Sequence, residues 1–177
     1  MTQNRPEASE YAPYYEKYVA LVPDGEIVET LETQLRETKL LLARLSEKEA
    51  EFRYAEGEWS IKEVLGHITD TERIFAYRLL RIARRDQTPL AGFEHDDYVK
   101  AGNFSARPLA ELLEEFTAVR RATIALVQPL DEEAWLRRGV ANQKEISVRA
   151  LTFILAGHER HHCLVLQERY FPALLRT

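Results

Sequence analysis

A four-helix bundle is the fold this sequence predicts, and three observations carry it. Only seven glycines and seven prolines punctuate 177 residues, and β-branched residues are little clustered, which leans away from an all-β chain. Four stretches of about 20–28 residues place apolar side chains at helical spacing. Start signals stand before the second and the fourth of them. The length suits one domain that buries a core without staples.

Residues 1–24 read as an arm in front of a bundle domain, 25–177. Pro6, Pro13 and Pro23 break it up, and Tyr11, Tyr14, Tyr15 and Tyr18 crowd it. Tyrosines at that density predict packing, either on the chain's own bundle or on a second subunit.

The first helix is expected over 25–52, with Asp24 as N-cap and Ile27, Leu31, Leu35, Leu40, Leu42 and Leu45 in approximate helical rhythm. A connection through Arg53, Ala55 and Gly57 follows. The second helix has the clearest start: Ser60 and Glu63 form a capping box, with Trp59 as a staple against Val64. Ile61, Val64, Leu65, Ile68, Phe75, Leu79 and Ile82 make its apolar face, and it should end before Pro89. Arg78, Arg81, Arg84 and Arg85 are expected at its end, where cations suit the macrodipole, in preference to the alternative of a specific anion site.

The connection 86–107 is long. It holds Pro89, Gly92, Gly102 and the patch Phe93-Glu94-His95-Asp96-Asp97-Tyr98. Connections of this length are usually functional, disordered or partly helical. As a crossover it allows the third helix to run parallel to the second. That third helix should cover 108–128, with Pro108 in its first turn and Ser105 or Arg107 near the cap. An acidic-capped turn is expected at 131–136, and a loop or short hairpin at 137–145. The fourth helix should start at Ser147 as N-cap, run to 169 and be ended by Pro172.

Charge and cysteine usage narrow the function. A formal net charge of −5 disfavours a broad nucleic-acid surface. The single cysteine, Cys163, allows no internal disulfide, so a reducing cytoplasm is the expected compartment. No apolar run approaches the roughly 18 residues of a membrane span, and the polar N-terminus carries no apolar signal-peptide core.

The histidines carry the chemistry. His158 and His162 are at i and i+4, one turn apart on the fourth helix. Taking His158 as zero, Leu151, Ile154, Leu155 and Val165 fall at about +20°, −40°, +60° and −20°, and His162 at about +40°. Two imidazoles in the middle of an apolar stripe need partners, because an unsatisfied buried polar group costs about 1–3 kcal/mol. A divalent metal satisfies both, and i, i+4 spacing lets them share one ion. The alternative is a pair of core histidines bonded to tyrosines or waters. His67 is the candidate third ligand, but it falls roughly 90° from the apolar centre of its helix. Three protein ligands would leave a reactive, open site. His95 reads as an exposed loop residue, and Cys163 as a small buried hydrophobe.

His158-Glu159-Arg160-His161-His162 also matches the H-E-x-x-H pattern of zinc peptidases, with Glu159 as general base. Position 165 is valine and 168 is glutamate, so the extended pattern is absent. Only 15 residues follow His162, and no strand-rich region offers a substrate edge. These points disfavour the peptidase reading, and Glu159 is then expected to be a supporting or surface carboxylate.

Three segments together resemble the DinB-like family: Glu58-Trp59-Ser60, then Leu65-Gly66-His67-Ile68-Thr69-Asp70-Thr71-Glu72, then His158-Glu159-Arg160-His161-His162. The resemblance covers about 27–170. It implies a bundle in up-down-down-up order, often dimeric, so a homodimer is expected. It also implies a divalent metal (zinc, nickel, iron or similar) on His67, His158 and His162. The family, whose name means damage-inducible, includes thiol S-transferases that use bacillithiol, mycothiol or glutathione, and many members with no known activity.

The leading expectation is therefore metal-assisted transfer of a low-molecular-weight thiol to an electrophile. Metal-water hydrolysis is the first alternative, for which Glu159, Asp70 or Glu72 would supply a base. The second is a non-catalytic stress-response or binding module with a metal site.

Overall fold

The computed structural model describes residues 4–175. In chain order the regular elements are α1 (Glu16–Val19), α2 (Ile27–Leu42), α3 (Glu47–Ala50), α4 (Ile61–Ala83), α5 (His95–Gly102), α6 (Leu109–Val127) and α7 (Glu132–Leu136). The strands β1 (Arg138–Ala141) and β2 (Lys144–Ser147) follow, then α8 (Val148–Val165) and α9 (Phe171–Leu174). Helices α2, α4, α6 and α8 form a four-helix bundle, in which α4 and α2 each pack against both α6 and α8.

Helix directions follow from which ends share a core. Val64, Leu65 and Ile68 at the start of α4 cluster with Leu109, Leu112 and Phe116 at the start of α6. Phe75, Leu79 and Ile82 at the end of α4 cluster with Val127 at the end of α6. The two helices therefore run parallel. Ile27 and Leu31 of α2, with Leu151 and Ile154 of α8, join that second cluster, while Leu42 and Leu166 join the first. So α2 and α8 run opposite to α4 and α6, giving up-down-down-up order. The crossover that makes this possible is partly helical, through α5.

Local sequence explains most boundaries, including those that differ from expectation. The first helix does not reach residue 52. It stops at Leu42, because Ser46 and Glu49 build a capping box of their own and restart the chain as α3. Asp24 is not its cap. The N-cap position is Glu26, with no side-chain cap bond, and Asp24 accepts from Arg5. The box at Ser60 and Glu63 opens α4 as the sequence predicts. At α6 the cap is Pro108 itself. Ser105 is instead drawn off to donate to Glu51.

The 137–145 segment is a hairpin. Asn142 and Gln143 both have positive φ, 49° and 61°, the conformation of a two-residue type I′ turn. Leu90 of the crossover bonds to its edge through Val140 and Asn142. Ser147 caps α8, but Pro172 does not end the helical path. After Val165 the chain widens into a π turn at Leu166–Tyr170, and Pro172 then occupies the first turn of α9, where its missing N–H is no loss.

The four arginines near the end of α4 do not act as one helix-end group. Arg81 pairs with Asp86, Arg85 turns through φ 65° to meet Glu133, and Arg78 is buried. The arm packs on its own bundle: Tyr11 and Tyr18 are buried, and Glu10 accepts from Ser147 and Arg149 at the start of α8. Among the described residues, no helix is long and apolar enough to cross a membrane.

Candidate metal centre

Two glycines bring backbone and side chains close around the histidines. Gly66 precedes His67 in α4, and a Cβ there would lie 2.4 Å from the Phe104 ring. Gly157 precedes His158 in α8, and a Cβ there would lie 2.0 Å from the Tyr18 carbonyl oxygen. The arm therefore lies directly on α8 beside the candidate ligands. Gly157→Ala should push the arm off this seat, at a loss of about 1–3 kcal/mol typical of overpacking. Urea melts and limited proteolysis of the arm would measure it, and unchanged stability with an equally protected arm would contradict the packing.

The three imidazoles converge. His67 Nε2 lies 3.0 Å from His158 Nε2, and His162 Nε2 lies 3.2 Å from the same atom. All three candidate ligand atoms fall within 4.8 Å of one another. His67 and His158 are buried, while His162 is half-buried. Trp59 packs on the His67 ring at 4.8 Å between centroids, and Tyr18 meets the His158 ring edge-on at 5.4 Å.

The donor set fits a small divalent cation. Nitrogens bound to tetrahedral zinc at about 2.05 Å stand about 3.3 Å apart, close to the two separations observed. A tyrosine-bonded histidine pair does not describe the site. Among the described residues, the hydrogen bonds of these rings run only to one another. Three Nε2 atoms aimed at one point cannot all be satisfied by each other's protons, whereas one cation accepts three lone pairs.

Burial holds the rings neutral. It pushes His67 down to about 4, with the charge of His95 as a lesser cause. His158 lies well below the ordinary histidine range, again through burial first, then His162 and His67. His162 is lowered by burial, then by His67 and His161. Neutral imidazoles are the ligand form.

A pH dependence follows for chelator-treated protein. The unfolded chain takes up a proton on His67 near pH 6.5 and the folded chain only near 4, so stability is lost as pH falls through that window. From pH 7 to pH 5, His67 alone should remove about 2 kcal/mol. Urea melts at the two pH values measure this. His67→Phe should abolish that share, and an equal drop in the variant would contradict it.

The carboxylates named from the sequence lie elsewhere. Glu159 is buried and turned into the bundle centre, where it accepts from Thr38 and from Arg120 at 3.1 Å. Glu72 is buried and takes a bidentate pair of bonds from Arg120, both 2.8 Å. Asp70 pairs with Arg73. None of the three lines the cleft over the histidines, so neither the H-E-x-x-H base nor its substitutes face that site. Cys163 is half-buried on the other side of α8, beside Thr38, and burial pushes its thiol up to about 12.

His95 is exposed, but it is not a loop residue remote from the site. It opens α5, with its ring 5.7 Å from His67. The cleft has a volume of about 340 Å³. Besides the histidines its walls include Tyr15, Thr71, Arg78 and Glu94, none of which the sequence reading assigned to it. Thr71, Phe75 and Arg78 stand 4, 8 and 11 residues after His67, so the helical stripe that continues from His67 was the available signal.

The model of the DinB superfamily matches residues 30–166. This chain belongs to that superfamily. A relative in Oceanobacillus iheyensis, OB0413, carries a name that makes it a candidate metal-dependent hydrolase. It is 28% identical over 138 residues, covering 76% of each chain. The bundle has solved counterparts. YfiT of Bacillus subtilis is described in similar candidate terms, as a metal-dependent hydrolase with an unusual four-helix bundle topology. It superposes with TM-score 0.75 at 14% identity, over 93% of this chain and 90% of its own. A mycothiol-dependent maleylpyruvate isomerase superposes with TM-score 0.67 at 12% identity, over 85% of this chain and 65% of its own. At those identities the superpositions establish a shared fold.

Proposed function

We propose that this DinB-superfamily chain holds one divalent transition metal on His67, His158 and His162 and joins a low-molecular-weight thiol, of the bacillithiol, mycothiol or glutathione type, to an electrophile. The observation that carries this reading is the cleft itself. Three neutral imidazoles open into it, and among the described residues neither a thiol nor a core carboxylate lines it. The only cysteine is on the far face of α8 with a raised thiol pKa, so the nucleophile has to come from outside. When bound, a divalent cation supplies Lewis acidity that favours the deprotonated form of a thiol.

The chain's own residues do the rest. The imidazoles fix the place of the reacting sulfur, while Trp59 and Tyr18 cover their rings and exclude water. His95 at the rim offers a ring nitrogen to take the thiol proton. The sulfur then forms its bond to carbon, and the leaving group departs with its electron pair.

The test is turnover of metal-loaded protein with a panel of thiols and a bromobimane. A thiol-dependent rate above the His158→Ala control supports the reading, and none for any thiol sinks it. His95→Gln should slow turnover about 100-fold or more, as for loss of a proton acceptor, with bound metal unchanged. The name of OB0413 favours a second reading, hydrolysis. In that case Glu94, the carboxylate among the cleft walls, becomes the candidate base, and turnover would proceed without added thiol.

A further inference from the structure

Arg78 is a buried cation in the wall of the same cleft. It is 4% exposed, and no carboxylate pairs with it among the described residues. Its Nη2 donates to the Ala91 carbonyl at 2.6 Å, its guanidinium lies over the rings of Phe75 and Phe93, and Tyr15 is its other polar neighbour. A guanidinium has five N–H donors in a fork, so donors remain for a ligand. Glu94 also lines the cleft, but it is exposed and makes no ion pair with Arg78.

Thr71 adds an independent sign. It is 3% exposed, lines the cleft between His67 and Arg78, and its Oγ1 is buried without a hydrogen-bond partner. Native proteins seldom leave such a group unpaired unless something outside the chain satisfies it. His67, Thr71, Phe75 and Arg78 thus form one stripe of α4 along the cleft. From His67 to Arg78 the helix rises about 16 Å at Cα.

The geometry points to an anion anchor: the substrate carries an oxyanion, carboxylate or phosphoryl, which Arg78 receives at one end of the cleft with Thr71 beneath the chain of atoms leading to the histidines. This rests on the reading of the histidine cleft as the reactive site and adds the substrate class. A guanidinium suits either oxyanion through paired N–H donors, and the aromatic rings around it exclude competing water.

The test is binding, read by quenching of Trp59, which lies against His67 in the cleft wall. The probes are phenylacetate, benzylphosphonate and neutral phenylacetamide, each titrated into the full chain with metal and after chelation. The wild type should bind at least one anion about tenfold or more tightly than the amide, and the tighter anion identifies the oxyanion. Arg78→Met should reduce that preference to within about twofold. Arg78→Lys should restore part of it, and Thr71→Val should weaken the preferred anion about threefold. Circular dichroism confirms folding, and Arg78→Lys and Thr71→Val keep the test alive if Arg78→Met does not fold.

Equal binding of acid and amide overturns the proposal, as does the absence of saturable binding or a preference that survives in Arg78→Met. A preference that survives Arg78→Met but vanishes on chelation puts the anion on the metal. That outcome sinks the anchor and leaves the metal-centre reading standing. A preference lost only in the Arg78 variants supports the anchor even in protein that binds no metal.

Discussion

Arg120→Ala is expected to destabilise the fold by at least about 3–5 kcal/mol, the range for breaking a buried ion pair by removing one partner. Arg120 is fully buried and joins all four bundle helices. It is bidentate to Glu72 on α4, bonded to Glu159 on α8 at 3.1 Å, and bonded to Gln34 and the Leu31 carbonyl on α2 at 3.2 and 3.3 Å. Alanine would leave two carboxylates in the core with no cation between them. Burial already raises the Glu159 pKa, opposed by Arg120 and Thr38. Without the guanidinium, the Glu159 pKa rises further above the unfolded value. The folded variant then binds more protons than the unfolded chain, so its deficit grows as pH rises above about 4.5. Urea melts at pH 5 and pH 8 would measure both the loss and its slope. Glu72→Gln and Glu159→Gln added to Arg120→Met should recover much of the loss, because a neutral core has no charge to compensate. A loss below about 1 kcal/mol for Arg120→Ala would mean that the carboxylates find other partners.

The second large effect concerns the metal. His158→Ala combined with His162→Ala should take bound metal from about one per chain to below about 0.1, read by elemental analysis, because two of three ligands are gone. The thiol transfer proposed above should then fall at least about a thousandfold, equivalent to about 4 kcal/mol in the barrier. Free metal at 100 times its dissociation constant stabilises a fold by about 2.7 kcal/mol. For a domain of this size that is a fall of about 5–11 °C in Tm on chelation. The double variant should show no such fall. If it kept its metal, the three-histidine assignment would be wrong.

The helices and the paired histidines were legible because they follow from periodicity and local chemistry. Ser60 and Glu63, Ser147, and the i, i+4 spacing of His158 and His162 need no distant partner to be recognised. Some boundaries were missed for equally local reasons, as where the capping box at Ser46 splits the first helix. His67 was less legible. Its position on the flank of an apolar face becomes decisive only when α8 lies alongside α4 and sets the Nε2 atoms 3.0 Å apart.

The carboxylates show the limit of a sequence pattern. H-E-x-x-H places Glu159 next to a histidine in sequence, but one residue on a helix is about 100° of rotation. That rotation sends Glu159 to Arg120 and away from the cleft.

The sequence by itself determined the helical class, most of the helix starts and the histidine pair, because each is a property of spacing within one element. The tertiary structure decided the rest. It brought His67 onto the pair, buried Arg120 between two acids, drew His95 to the rim and left Arg78 and Thr71 facing the cleft. The contacts among His67, His95, Arg120 and the fourth helix join residues 28 to 95 positions apart, and only the packing of one helix against another fixes them.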